Sequence, residues 1–187
     1  MFSFLSPNAQ FDNVLEISPE FLRSMNRTGV LLDVDCTLKD YGSPTVPPAV
    51  QKWIGELRAS GLRPCLLSNG KSRRIGPLAN ILGIPFVAKA FKPLPFGCRA
   101  ALRLLDLPAS RTAIIGDHVF ADILAGNLAK LLTILVRPTT DVEPIWTRVK
   151  RPFERFVLRR IGQPSAARSE RPSNRKLNLH QPEISPS

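Results

Sequence analysis

No apolar run in the 187-residue chain approaches the ~20 residues that a membrane-spanning helix needs, so no bilayer span is expected. Cysteine is scarce: Cys36, Cys65 and Cys98 show no CxxC spacing, and an odd number argues against a disulfide framework. A reducing, cytoplasmic setting is the expectation. The opening Met1-Phe2-Ser3-Phe4-Leu5 is too short for a signal-peptide core and lacks an arginine-rich lead, and Asp12 and Glu16 count against a transit peptide. Acids are the minority charge, 15 against 26 Lys and Arg, and the net charge of +11 predicts attraction to polyanions.

At 43% hydrophobic, the chain can bury the core of a single domain. Strand and helix alternate along it. An apolar strand at 30–32 is followed by a helix that Pro47-Pro48 opens, that carries Val50, Ile54 and Leu57 on one face, and that Gly61 stops. A strand at about 65–67, a short helix at 77–82, a strand at 86–90, and a helix through Phe96, Ala100, Leu104 and Leu105 come next. A strand at 112–115, a helix at 120–130 and a strand at 133–136 complete the series. This order predicts an α/β fold, a doubly wound, mainly parallel, five-stranded sheet. One domain over 1–162 and a disordered, Ser/Pro/Arg-rich tail over 163–187 are expected.

Four of these strand ends carry chemistry, and in open α/β sheets ligands bind at the carboxyl ends of strands. The run at 30–32 stops at Asp33 and Asp35, whose charges need a cation, a hydrogen-bond network or water. A turn after Asp33 would aim both acids into one pocket, which suits a metal beside an acid/base. Leu66-Leu67-Ser68-Asn69-Gly70 offers side-chain and backbone donors to an oxyanion. Lys92, restrained by Pro93, is a candidate fixed positive charge. The strand at 112–115 ends in Gly116-Asp117, and Asp117 and Asp122 are candidates to complete an oxygen-ligand site for a hard cation.

In type, order and approximate spacing these residues resemble the four motifs of the haloacid dehalogenase (HAD) superfamily. The matches are Asp33-Val34-Asp35-Cys36-Thr37 for DxDxT, Ser68 for the second motif, Lys92 for the third, and Gly116-Asp117 through Asp122 for GDxxxxD. Leu5-Ser6-Pro7, Lys92-Pro93, Gly126-Asn127 before the strand at 133–136, Glu143, Lys150-Arg151 and Glu154-Arg155 resemble more narrowly the YqeG-type phosphatases of subfamily IIIA. That likeness covers roughly 1–160. It departs at Cys36, where relatives usually carry Asn.

The resemblance implies a HAD-like Rossmannoid fold and a Mg²⁺-dependent phosphomonoester hydrolase working through an aspartyl-phosphate. Asp33 is then the nucleophile and Asp35 the general acid/base, while Ser68, Lys92 and backbone amides near Val34 and Asn69 stabilise the phosphoryl oxygens. Mg²⁺ is expected on the Asp33 and Asp117 carboxylates and the Asp35 backbone carbonyl. Thr37, Asn69 and Asp122 are placed behind these as supporting residues, Asp122 as a partner for Lys92 or for a metal-bound water. Lys89 competes with Lys92 but lies in the expected strand at 86–90. His118 is left out, because the motif needs no histidine there.

About 30 residues separate the first two motifs and about 23 the second and third, so neither gap holds a cap domain. Within the superfamily an uncapped site goes with large substrates. Members of the subfamily include phosphatidylglycerophosphate phosphatases, which makes that lipid the leading substrate. Trp146, Val149, Phe153, Phe156 and Val157 interleave with Arg148, Arg151, Arg155, Arg159 and Arg160, so 146–161 is expected to form a basic amphipathic helical segment, although Pro152 must break it or start a new helix. It either lies on an anionic membrane, at the inner face of the cytoplasmic membrane, or packs its aromatics on the sheet. The alternatives are a phosphatase for nucleic-acid ends or phosphosugars, and a nucleic-acid or ribosome-binding module without turnover.

Overall fold

The computed structural model describes residues 3–139, and the segments 146–161 and 163–187 lie outside them. Among the described residues six strands form one sheet: β1 (Ala9–Phe11), β2 (Gly29–Leu32), β3 (Arg63–Leu67), β4 (Phe86–Val87), β5 (Thr112–Gly116) and β6 (Leu132–Val136). Their order is β1-β6-β5-β2-β3-β4 and every neighbouring pair is parallel. The helices between them are α1 (Pro19–Ser24), α2 (Pro48–Ala59), α3 (Ser72–Leu82), α4 (Phe96–Leu105) and α5 (Leu124–Leu128).

β2 is apolar throughout because both faces of the sheet are covered. Successive side chains alternate between those faces. Val30 and Leu32 enter the larger core with Trp53, Ile54 and Leu57 of α2 and Ile75 of α3. Leu31 enters the second, against Cys98, Ala101 and Leu105 of α4 and Ala125 of α5. Burial pushes the Cys65 and Cys98 thiols up to about 12, which makes them packing residues rather than nucleophiles.

From β2 the chain steps outward through α2 and α3 to β3 and β4, and α4 then carries it back to β5 on the other side of β2. The winding reverses between β2 and β5. The crevice outside their carboxyl ends is therefore the place where such a sheet takes a ligand.

The doubly wound α/β architecture is as expected, but the sheet has six strands rather than five. The extra one, β1, is a three-residue edge strand whose Ala-Gln-Phe sequence carries no readable alternation. It is held to β6 by a reciprocal pair: Asn8 Oδ1 accepts from the Thr133 N–H at 2.8 Å, and the Asn8 N–H donates to the Thr133 carbonyl at 2.8 Å. α3 begins at Ser72, five residues before the expected start at Pro77. Pro77 removes one backbone donor, but Ile75, Leu78, Ala79 and Leu82 keep one buried face across it. β4 stops at Val87 instead of 90, since Lys89 takes a left-handed φ of 49° that ends the strand. The helix expected at 120–130 is a π-helical turn at Val119–Ile123 running into the short α5.

Candidate active site

Asp33 is the first residue beyond β2, and its N–H donates to the Ile115 carbonyl of β5 at 2.9 Å, so it stands directly at the switch point. Lys92 comes to it from the β4–α4 loop. Its ammonium donates to Asp33 Oδ1, to Asp122 Oδ1 at 2.6 Å and to the Leu67 carbonyl at 3.0 Å. The side chain is 3% exposed. Asn69 fixes the base of this lysine from β3's end: Asn69 Oδ1 accepts from the Lys92 N–H at 2.8 Å, and Asn69 Nδ2 donates to the Lys92 carbonyl at 3.0 Å. Lys89 is exposed and does not enter the site.

Asp117, the residue after β5, is buried. It accepts from the Thr37 hydroxyl at 3.1 Å and lies 3.0 Å from His118 Nδ1. Asp122 folds back from the π-helical turn to accept from the His118 N–H at 3.1 Å. It can do so because the preceding strand ends in glycine: a Cβ on Gly116 would lie 2.3 Å from the Asp122 carboxyl carbon. Ser68 is buried at the end of β3, where its hydroxyl accepts from the Gly70 N–H at 3.0 Å.

Asp35 is turned to a different set of partners. Lys39, itself buried, donates to it at 2.8 Å, and Arg74 from the first turn of α3 grips both oxygens at 3.1 and 2.5 Å. Sequence reasoning missed both cations. Lys39 carries a weak signal, being four residues from Asp35, but Arg74 is 39 residues away and no spacing rule reaches it. Directly after Asp35, Cys36 takes a φ of 61°. Asn adopts that left-handed geometry more readily than Cys, so Cys36 holds this turn at a higher backbone cost.

Electrostatics separates the acids. Asp33 is raised to about 6, chiefly by burial, with Lys92 pulling it down and the neighbouring Asp122 adding to the rise. Asp117 is also raised, by burial first, with His118 opposing and Asp33 adding to it. Lys92 is held firmly charged: burial opposes its charge, but Asp122 and Asp33 outweigh burial. Asp35 is lowered, since Arg74 and Lys39 together exceed the upward pull of burial.

Buried carboxylates in excess over the single buried lysine between them are a donor set suited to a hard divalent cation. Asp117, His118 and Asp122 have ligand atoms within 4.8 Å of one another. Asp122 is already engaged by Lys92, and Mg²⁺ prefers oxygen to imidazole, so Asp33 and Asp117 are the better pair for that ion.

The haloacid dehalogenase-like hydrolase profile matches residues 12–130, a span that contains every one of these side chains. The chain belongs to this family. Probable phosphatase YqeG of Bacillus subtilis (strain 168) is 34% identical over 155 residues, 83% of this chain and 90% of that protein. Among solved structures, a hypothetical protein from Xanthomonas campestris superposes with a TM-score of 0.51 at 15% identity, over 72% of this chain and 79% of that one. The deoxy-D-mannose-octulosonate 8-phosphate phosphatase of Haemophilus influenzae gives a TM-score of 0.49 at 21% identity, over 68% and 75%. In this member of the HAD-like hydrolase family the motif-bearing residues lie together beyond the carboxyl ends of the strands. No helix among its described residues is long and apolar enough to cross a membrane.

Proposed function

We propose that the protein hydrolyses phosphomonoesters through an aspartyl-phosphate on Asp33 and that its substrate is phosphatidylglycerophosphate, met at the inner face of the cytoplasmic membrane. The observation that carries this reading is the meeting of Asp33, Lys92 and Asp117 at the carboxyl ends of β2 and β5. Asp33 attacks phosphorus while Lys92 keeps it oriented and charged. Two displacements replace one difficult hydrolysis. The Ser68 hydroxyl, Lys92 and the backbone amides near Val34 and Asn69 take the phosphoryl oxygens. Mg²⁺, held by the Asp33 and Asp117 carboxylates with the Asp35 backbone carbonyl, supplies neutralisation of the phosphoryl charge.

Asp35, taking up a proton brought in by the phosphomonoester monoanion, passes it to the departing alkoxide and then takes one from the water that cleaves the intermediate. At rest Arg74 and Lys39 keep it ionised. Phosphate oxygens entering the crevice compete for those two cations, and an Asp35 that loses them moves back toward protonation. Thr37 ties the first motif to Asp117, and Asp122 anchors Lys92.

The short connections around the site support a large substrate such as a lipid headgroup. The test is phosphate release with Mg²⁺ from phosphatidylglycerophosphate in mixed micelles, beside a 3′-phosphorylated oligonucleotide and a panel of phosphosugars, with Asp33→Asn as blank. Lipid turnover far above the others supports both reaction and substrate. A soluble ester turned over faster keeps the reaction and removes the lipid, and no turnover at all leaves a binding module.

A further inference from the structure

The loop that carries Lys92 also carries side chains for which the chemistry has no use. Lys92 is buried, but Phe91, Leu94 and Phe96 around it are 65%, 49% and 58% exposed. Three large apolar side chains within six residues is a concentration that soluble surfaces avoid. The backbone builds this display. Leu94 N–H donates to the Phe91 carbonyl at 2.9 Å, and Gly97 N–H closes the loop on the Ala90 carbonyl at 3.1 Å. A Cβ on Gly97 would lie 2.5 Å from that carbonyl oxygen, so only glycine lets the loop close this tightly. Ala90 and Lys92 face inward and Phe91 and Leu94 outward. Phe91 holds its ring in water from a φ of 55°, a costly conformation for a bulky residue.

Charge is arranged around the same loop. Residues 57–105 contain no Asp or Glu. Lys71, Arg73, Lys89 and Arg99 are exposed there, and the Lys89 N–H donates to the Gly70 carbonyl at 2.9 Å, which sets the β3–α3 and β4–α4 loops side by side.

We propose that the 91–96 loop docks the enzyme on an anionic lipid bilayer. Phe91, Leu94 and Phe96 enter the headgroup boundary, and Lys71, Arg73, Lys89 and Arg99 meet lipid charge. Interfacial insertion rewards apolar area beside basic residues without demanding a shaped partner. Single-stranded nucleic acid can stack on Phe91 and Phe96 but leaves Leu94, 49% exposed, without a partner, whereas a lipid interface takes all three side chains. Because Lys92 reaches Asp33 from this very loop, docking presents the crevice to the headgroups. The purpose of the surface rests on the lipid-headgroup reading above, but the docking does not.

The test is cosedimentation of the full chain with vesicles of equal parts phosphatidylglycerol and phosphatidylcholine, and with phosphatidylcholine alone. Binding to the anionic vesicles, weakened by salt, is expected to fall about tenfold in Leu94→Ser/Phe96→Ser, with hydrolysis of a soluble aryl phosphate unchanged. Lys89→Glu/Arg99→Glu should show the same loss through charge alone, and it serves if the apolar variant does not fold. Equal binding by wild type and both variants overturns the proposal, as does an absence of wild-type binding. Displacement from the vesicles by an oligonucleotide that needs the same residues also overturns it, in favour of nucleic acid. If docking and aryl phosphate hydrolysis both hold but vesicle-embedded phosphatidylglycerophosphate is not cleaved, the docking stands and the substrate reading falls.

Discussion

Asp33 and Asp35 leave the same strand end, separated only by Val34, and each meets a buried lysine, but their charges are treated in opposite ways. Asp33 shares Lys92 with Asp122 and lies near Asp117, so acids outnumber cations and burial raises it to about 6. Asp35 is paired with both Lys39 and Arg74, so its cations outnumber it and it is lowered. What separates the two is local stoichiometry of charge as much as depth. The acid-rich side has capacity for a divalent cation, and the base-rich side for an anion.

The harshest way to break this contrast is to remove the acid that the crevice converges on. Asp33→Asn should lower phosphate release on the order of 10⁴-fold or more, measured on any substrate the wild type accepts. Lys92→Met comes next, because it strands Asp33 and Asp122 without their cation. A loss of about 3–5 kcal/mol in urea unfolding is expected, partly recovered when Asp122→Asn is added.

A smaller effect sharpens the comparison through pH. Asp33's folded value of about 6 lies above its ordinary 3.8, so the stability it brings to the metal-free protein is complete below pH 3.8 and fades as pH rises through about 6. Asp35 behaves oppositely, its contribution being present above its ordinary value and lost as pH falls through its lowered one. Denaturant midpoints of metal-free protein between about pH 4 and pH 7 should decline more in the wild type than in Asp33→Asn. The smallest effect belongs to Arg74→Ala. With Arg74 43% exposed, stability should change by less than about 1 kcal/mol. Asp35 then rises toward its ordinary value, and the basic limb of the pH profile for aryl phosphate hydrolysis should move to higher pH.

β2, β3 and β5 were legible because each ends an apolar run just before a polar residue, and βα alternation allowed little besides a parallel sheet. What escaped was short or distant. β1 owes its place to Asn8 and Thr133, 125 residues apart, rather than to any pattern of its own. α3 was cut short in the sequence reading because proline counts as a helix breaker, whereas here the buried face outweighs one missing donor. Of the site, the residues at strand ends could be read in order. The partners of Asp35 could not, because Arg74 arrives through tertiary packing and Lys39 lies in an irregular turn.

The three acceptors around Lys92 have a consequence for turnover. An ammonium has three hydrogens, and Leu67, Asp33 and Asp122 already take them. A phosphoryl oxygen reaching Lys92 therefore gains a bond only as one of these gives it up. That exchange would be easiest once Asp33, as proposed, is esterified to phosphorus and no longer draws the lysine as an anion. Free phosphate, formed as Asp33 regains its charge, must compete with it again. On the proposed mechanism, such a crevice would hold its covalent intermediate more firmly than its product and clear itself after each cycle.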